Sequence, residues 1–248
     1  MNQIKVLQKI FNNIIGNTRL PMLVIDKPAT NINRTSFNAS VAAINGFSIF
    51  ANKIDYLLNN ENKIDYKVLN SFLKKNHKKK FLIFGFTFNV YDNLIKKIDI
   101  SKINLKNFSN ALLIHGGGWK KVEEKKISRN KFNLDLKLKL GIENVRNYYG
   151  LVEQIGSIYF DCKCGYFVAS NYSDIIIRDE NLNVSKNGLK GLVQLISLLP
   201  TSYPGHSILT EDIGEIVHDS KCTCYGNGTR FIIHGRLKNA ELRGCSNT

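Results

Sequence analysis

The chain of 248 residues contains no run of about 18 consecutive apolar residues, the minimum for a membrane-spanning helix, so no span is expected. Its N-terminus is also unlike a secretory leader, because Lys, Asn and Gln alternate there with Ile, Leu and Phe instead of forming an apolar core. These two absences point to a soluble, cytoplasmic protein. Cysteine is scarce and odd in number: five residues, which without a leader argue for reduced thiols over a disulfide framework. No internal repeat and no low-complexity linker is visible, so any domain boundary is soft.

Charge is plentiful and one-sided, with a formal net value of +15 and a pI near 9.6. A basic surface of that kind collects phosphates and raises the question of nucleic acid. The densest clusters, Lys74 to Lys80 and Lys120 to Lys126, lack the interleaved aromatics on which bases stack. Lys, Asn and Ile recur along the whole chain, which fits compositional bias and solvated faces, and no nucleic-acid partner is expected. A hydrophobic content of 43% is enough for a sizeable core.

Apolar residues at positions 4, 7, 10, 11, 14 and 15 carry the spacing of an amphipathic helix. A buried strand is expected at 21–26, a helix at 40–45, a short strand at Phe47-Ser48-Ile49-Phe50 and a helix at 65–75. Phe81-Leu82-Ile83-Phe84 followed by Gly85 and a periodic stretch to Ile95 has the strand, turn, helix form of a parallel α/β unit. Ala111-Leu112-Leu113-Ile114 repeats it and ends at His115-Gly116-Gly117-Gly118-Trp119 before a charged helix. Loops at the carboxyl ends of such strands are where open α/β sheets bind ligands. Beyond Gly150 the texture changes to short strands near 158–160, 175–177, 191–197, 208–209 and 230–233. The expected fold is therefore α/β: a parallel-sheet portion at 1–145, then a mostly β portion at 146–248.

Several segments have the composition of a ligand site. Glycines 116–118 let a backbone approach a flat or anionic ligand, although they also make ordinary turns. Tyr148-Tyr149-Gly150-Leu151-Val152-Glu153-Gln154 joins an aromatic, a glycine and a carboxylate across a strand-to-turn junction. Thr210-Glu211-Asp212-Ile213-Gly214-Glu215 offers an acidic pair, suited to ribose hydroxyls or to a solvated turn. Phe84, Phe86, Phe88 and Tyr91 are candidates for an apolar acyl pocket or for plain core. Cys162-x-Cys164 and Cys222-x-Cys224 supply four thiols, enough for a tetrahedral zinc ion, but their one-residue spacing is tighter than usual and inert thiols are the other reading. The histidines at 77, 206, 218 and 234 show no metal spacing.

The order of these segments carries a resemblance. A Gly-rich turn, aromatic-Gly-x-x-Glu, Thr-Glu-Asp-x-Gly and then Gly235-Arg236-Leu237-Lys238 resembles the adenylate-forming ligases. His115 to Lys121, Thr201-Ser202-Tyr203-Pro204 with Thr210 to Gly214, and Ala240-Glu241-Leu242-Arg243-Gly244-Cys245-Ser246 narrow it to the LuxE-like acyl-protein synthetases of the bacterial fatty acid reductase complex. The resemblance implies an adenylate-forming ligase fold lacking its N-terminal part, with ATP and Mg2+ as cofactors. It places Gly116, Gly117 and Gly118 against adenine with Tyr149 stacking nearby, Asp212 on the ribose and Arg236 facing the nucleotide. Glu153 would hold magnesium through a hard oxygen. Cys245 would accept the acyl group, its thiolate favoured by Arg243; apart from the resemblance it is simply a cysteine near the last residue of the sequence. Related carboxylate ligases often show a cysteine pair before the Gly-Arg motif, as Cys222 and Cys224 stand here.

The family also carries a Ser/Thr/Gly-rich phosphate loop upstream of the adenine turn, and none precedes it in this sequence. Losing one preorganised donor costs ~2.7–4 kcal/mol of transition-state stabilisation, so adenylation is expected to need such a loop from an upstream polypeptide. The expected activity is ATP-dependent formation of an acyl-adenylate from a carboxylic, in particular fatty, acid and transfer to a protein thiol, with an acyl reductase as partner. Coenzyme A as acceptor, and a non-catalytic subunit, are the alternatives.

Overall fold

The computed structural model describes residues 3–28, 39–104, 108–119, 126–151, 153–218, 222–224 and 228–237. Contacts group them into two units, residues 17–147 and residues 3–16 with 148–237, each described by itself. Among the described residues no helix is long and apolar enough to cross a membrane.

In the unit of residues 17–147 four strands form a parallel sheet; three come from continuous apolar runs and are buried, as the inner strands of such a sheet require, and one is a more polar edge strand. They are β1 (Leu20–Val24), β2 (Ala51–Tyr56), β3 (Phe81–Phe86) and β4 (Ala111–Gly116), all parallel in the order β2-β1-β3-β4. The first helix, α1 (Gln3–Ile15), belongs to the other unit; the helices here are α2 (Ala39–Ser48), α3 (Tyr66–Asn76), α4 (Thr87–Val90, running on as a π-helical turn at Tyr91–Lys97) and α5 (Arg129–Leu140). Leu69, Phe72 and Leu73 of α3, Leu94 of the π turn, and Leu136 and Leu140 of α5 share one core with Leu23, Phe81, Ile83 and Leu113. Each fully buried side chain of this size contributes roughly 1.5–3 kcal/mol of transfer free energy. Phe84 and Tyr91 are buried here as well, which gives them a packing role.

The expected strand at Phe47 to Phe50 is instead the end of α2 and the turn after it. Phe47 stacks on Phe84 with ring centroids 4.3 Å apart, and the Phe50 N–H donates to the Phe47 carbonyl at 3.1 Å. The strand begins one residue later, as an edge strand whose exposed Asn52 and Lys53 hide its apolar signal. Local caps set the helix ends. The Asp65 carboxylate accepts from the N–H groups of Lys67 and Val68 at 2.9 and 3.0 Å, and Gly141 closes α5 in the left-handed region with φ 71°.

The other unit is an antiparallel sheet. Its strands are β5 (Asn144–Gly150, paired through residues 148–150), β6 (Ile158–Asp161), β7 (Phe167–Val168), β8 (Ser173–Arg178), β9 (Gly191–Ser197), β10 (Ser207–Ile216) and β11 (Arg230–Arg236). They lie in the order β5-β6-β7-β11-β10-β9-β8. Inward residues alternate with outward ones along β8 and β9, and Tyr159, Phe167, Val193, Leu195 and Phe231 form the core. The amphipathic helix α1 (Gln3–Ile15) joins this unit, its Phe11 ring meeting Phe160 edge-on at 5.0 Å. Residues 210–215 do not form a solvated turn: they lie inside β10, which bulges against β9 between Leu209 and Ile213, while β11 carries its own extra residue, His234, opposite Ile213 and Gly214.

Removing the Asp65 cap with Asp65→Ala is expected to cost ~1 kcal/mol, and Phe72→Ala, which empties the space against Phe81, ~3–5 kcal/mol. Urea titrations of the two variants beside the parent protein check both the values and their order.

Candidate functional site

The glycine turn follows the end of β4. Gly117 and Gly118 sit at φ 80° and 64°, where an L side chain is strained, and a Cβ on Gly117 would lie 2.4 Å from the Phe86 ring. The Phe86 ring fills the space a side chain would take, so only glycine lets the main chain pass this close to it. Beneath it, His115 is buried against Phe132, with ring centroids 4.6 Å apart. Thr87 Oγ1 donates to the Gly116 carbonyl at 3.0 Å and lies 2.9 Å from His115 Nδ1. A hydroxyl has one hydrogen, so with it committed to Gly116 the imidazole donates from Nδ1. Burial, aided by the Arg129 charge, lowers the His115 pKa from 6.5 to about 3, which keeps the ring neutral.

The acidic pair is in the other unit. Asp212 is brought opposite Arg236 by the β10–β11 register, and the Tyr149 hydroxyl reaches it from β5, donating to Oδ2 at 2.6 Å. Arg236 Nε lies 3.6 Å from Asp212 Oδ1, while Arg236 Nη2 pairs with Glu211. The main chain is held too, since the Asp212 N–H donates to Thr210 Oγ1 at 3.1 Å and Thr210 donates to the Val193 carbonyl at 2.9 Å. Burial, and then the Asp212 charge, push the Tyr149 phenol well above its ordinary range, so it stays a donor. Its ring packs 6.2 Å from Tyr159 and 6.1 Å from Phe231. With two partners on a carboxylate that has about four acceptor sites, Asp212 keeps acceptor capacity for a diol.

Glu153 stands exposed on the turn after β5, and its carbonyl accepts from the Tyr203 hydroxyl at 2.9 Å. The same hydroxyl accepts from the Ile155 N–H at 3.2 Å. Gln154 is buried and donates to the carbonyls of Leu195 and Gly205 at 3.2 and 2.7 Å, while Ser157 donates to its Oε1. Gln154 and Tyr203 therefore set the turn that presents Glu153. Neither residue has a role that the sequence announces, since neither burial nor a partner some fifty residues away leaves a local signature.

The four cysteines at 162, 164, 222 and 224 converge, with every Sγ within 4.8 Å of the others. Burial pushes the Cys162 thiol up, the Cys164 backbone draws Cys224 down to about 7, and the neighbouring thiols of Cys222 and Cys224 push Cys164 up to about 12. Cys245, Arg243 and Lys238 lie outside the described residues.

The sequence model of the family described as "Acyl-protein synthetase, LuxE" matches residues 1–248. The chain belongs to the LuxE acyl-protein synthetase family. The long-chain-fatty-acid–luciferin-component ligase of Aliivibrio fischeri is 28% identical over 189 residues, covering 74% of this chain and 49% of that protein. The LuxE-family chain thus spans about half the length of this curated relative. Its fold is that of the adenylate-forming ligases. Apo MatB from Rhodopseudomonas palustris superposes with TM-score 0.61 at 14% identity, over 95% of this chain and 44% of that one. The luciferase-like enzyme of the nonluminescent mealworm Zophobas morio gives 0.61 at 15%, over 96% and 53%. A benzoate CoA ligase from Burkholderia xenovorans gives 0.58 at 12%, over 95% and 45%.

The lowered His115 pKa has a sign that can be measured. The unfolded chain binds a proton at an ordinary histidine pKa and the folded site does not, so this stabilisation is complete above about pH 6.5 and is lost as pH falls toward 3. Unfolding free energies between pH 7 and pH 4 are expected to fall with a His115 contribution of up to ~1.4 kcal/mol per pH unit. His115→Asn, which retains a donor near the Nδ1 position, is expected to flatten that slope relative to the parent protein.

Proposed function

We propose that this chain carries part of an ATP-dependent acid:protein-thiol ligase, which activates a fatty acid and passes the acyl group to Cys245 for collection by an acyl reductase. The observation that carries the reading is the Asp212 carboxylate, set on the β10 bulge between the Tyr149 hydroxyl and Arg236 in a chain of the LuxE family. In this reading Asp212 accepts from the ribose hydroxyls, Arg236 faces the nucleotide, and Gly116, Gly117 and Gly118 lie along the adenine with Tyr149 nearby. Gly117 and Gly118, both at positive φ, allow a main-chain turn that a larger residue would strain, which supports close approach of a ligand to the backbone.

The exposed Glu153 carboxylate offers the hard oxygen that a magnesium ion takes, and would hold an ion whose charge would offset that of the ATP phosphates. In the first half-reaction an oxygen of the substrate carboxylate attacks the α-phosphorus. The bond to the β-phosphate oxygen breaks with its electron pair, giving acyl-adenylate and pyrophosphate. In the second, the Cys245 thiolate attacks the acyl carbon and AMP departs, leaving a thioester. The relative from Aliivibrio fischeri is named for a long-chain fatty acid, which supports the same substrate class here.

The test is ATP-dependent labelling with radiolabelled fatty acids of graded length, on residues 1–248 alone and on the same chain supplemented with an upstream polypeptide bearing a phosphate loop. Hydroxylamine-labile label is expected, absent in Cys245→Ser while pyrophosphate exchange persists. Asp212→Asn is expected to lower kcat/KM for ATP roughly 10- to 100-fold, the worth of hydrogen bonds to a charged group. Label that forms on coenzyme A and survives Cys245→Ser would replace the protein acceptor with a small thiol; no label and no exchange in either preparation would defeat the reading.

A further inference from the structure

The four converging cysteines take no part in the acyl chemistry. Cys162 and Cys164 lie in the turn between β6 and β7, where the Cys162 N–H donates to the Tyr166 carbonyl at 2.8 Å and the Gly165 N–H to the Cys162 carbonyl at 2.9 Å. Gly165, at φ 91°, makes this turn tight enough to aim two sulfurs the same way across one intervening residue. Cys222 and Cys224 come from the segment ahead of β11, which pairs with β7 through Arg230 with Val168 and Phe231 with Phe167. The pairing of those strands brings the two Cys-x-Cys segments face to face.

The spacing of the sulfurs is informative. Cys162 Sγ and Cys222 Sγ are 3.8 Å apart, Cys164 Sγ and Cys224 Sγ 3.7 Å. Zinc–sulfur bonds of about 2.3 Å arranged tetrahedrally put neighbouring sulfurs ~3.8 Å apart, whereas a disulfide holds them at about 2.05 Å. Two ligands are buried and two lie nearer solvent, so the centre would sit at the edge of the sheet with all four positions filled by protein. A closed four-thiolate shell leaves no position for substrate, which is the pattern of a structural ion.

We propose that Cys162, Cys164, Cys222 and Cys224 bind one structural zinc ion that staples the segment preceding β11 to the β6–β7 turn. Four S–H bonds give way to four Zn–S bonds, and the protons pass to buffer. The Arg230 guanidinium, whose Nη2 donates to the Cys224 carbonyl at 3.1 Å, stands beside the resulting negative centre. β11 is thereby fixed at the end where the cysteines enter, and at its far end it carries Arg236. The ion acts on the nucleotide-facing residues only through the register of this strand.

The test is the metal itself. Elemental mass spectrometry of protein purified without chelator from zinc-supplied cells is expected to find about one zinc per chain, and cobalt exchange to give the intense near-ultraviolet thiolate-to-cobalt absorption of a tetrahedral sulfur site. Neither measurement depends on acyl transfer, so failure of the ligase reading and failure of this one are separable. Cys164→Ser and Cys224→Ser are expected to lose zinc to a competing chelator at concentrations at least ~10-fold lower than the parent protein needs, whereas Cys245→Ser retains it. Hydrogen exchange in residues 228–237 is expected to speed up when the ion is stripped and to recover when zinc is returned. Zinc below one-tenth per chain with four titratable thiols, a Cys162–Cys222 or Cys164–Cys224 disulfide in freshly purified protein, or an iron chromophore would each overturn the proposal.

Discussion

A carboxylate drawn partly out of water must be met by donors, and Asp212 is met from two other strands. Its side chain takes a hydrogen bond from Tyr149 on β5 and faces Arg236 on β11, while its own strand is held by Thr210. The phenol commits its one hydrogen to the carboxylate and the guanidinium has only donors to offer, so both meet Asp212 as donors. Three strands distant in sequence are thereby committed to one register, and the acidic pair lies where β10 carries extra residues against β9, between Leu209 and Ile213. A one-residue slip of β10 against β11 would send Asp212 to the opposite face of the sheet.

The glycine turn solves a related problem with different chemistry. Two consecutive left-handed residues are open only to glycine without strain, and the residue before them is held by Thr87, which donates to the Gly116 carbonyl and lies beside His115. A neutral imidazole suits that place because it donates one hydrogen bond without carrying a charge into the core. Phe86 then supplies the floor, close enough to Gly117 that no larger residue could stand there.

Much of this was legible in the sequence, for reasons that also explain what was not. The continuous apolar runs at 81–84 and 111–114, each closed by glycine, read as buried strands of a parallel sheet, and they are. The run at 47–50 has the same composition but belongs to the end of a helix, because Phe47 is needed over Phe84 and the true edge strand is dressed in polar residues. The acidic segment at 210–215 resembled a turn because a strand whose residues hydrogen-bond one another across a polar site loses its apolar alternation. The cysteine pairs were visible as pairs, yet their convergence depends on β7 meeting β11, and β7 is two residues long. Of the residues assigned to the nucleotide, Tyr149, Asp212 and Arg236 meet around one carboxylate; Glu153 owes its setting to Gln154 and Tyr203, which no short motif announces.

The Tyr203 ring occupies the space that any side chain on residue 205 would need, since a Cβ on Gly205 would lie 2.1 Å from the ring. The ring's hydroxyl is simultaneously the pin of the turn at 153–155. A side chain on residue 205 would therefore displace the Tyr203 ring, and a displaced ring releases the turn, so the shape of this loop and the presentation of Glu153 cannot be altered independently.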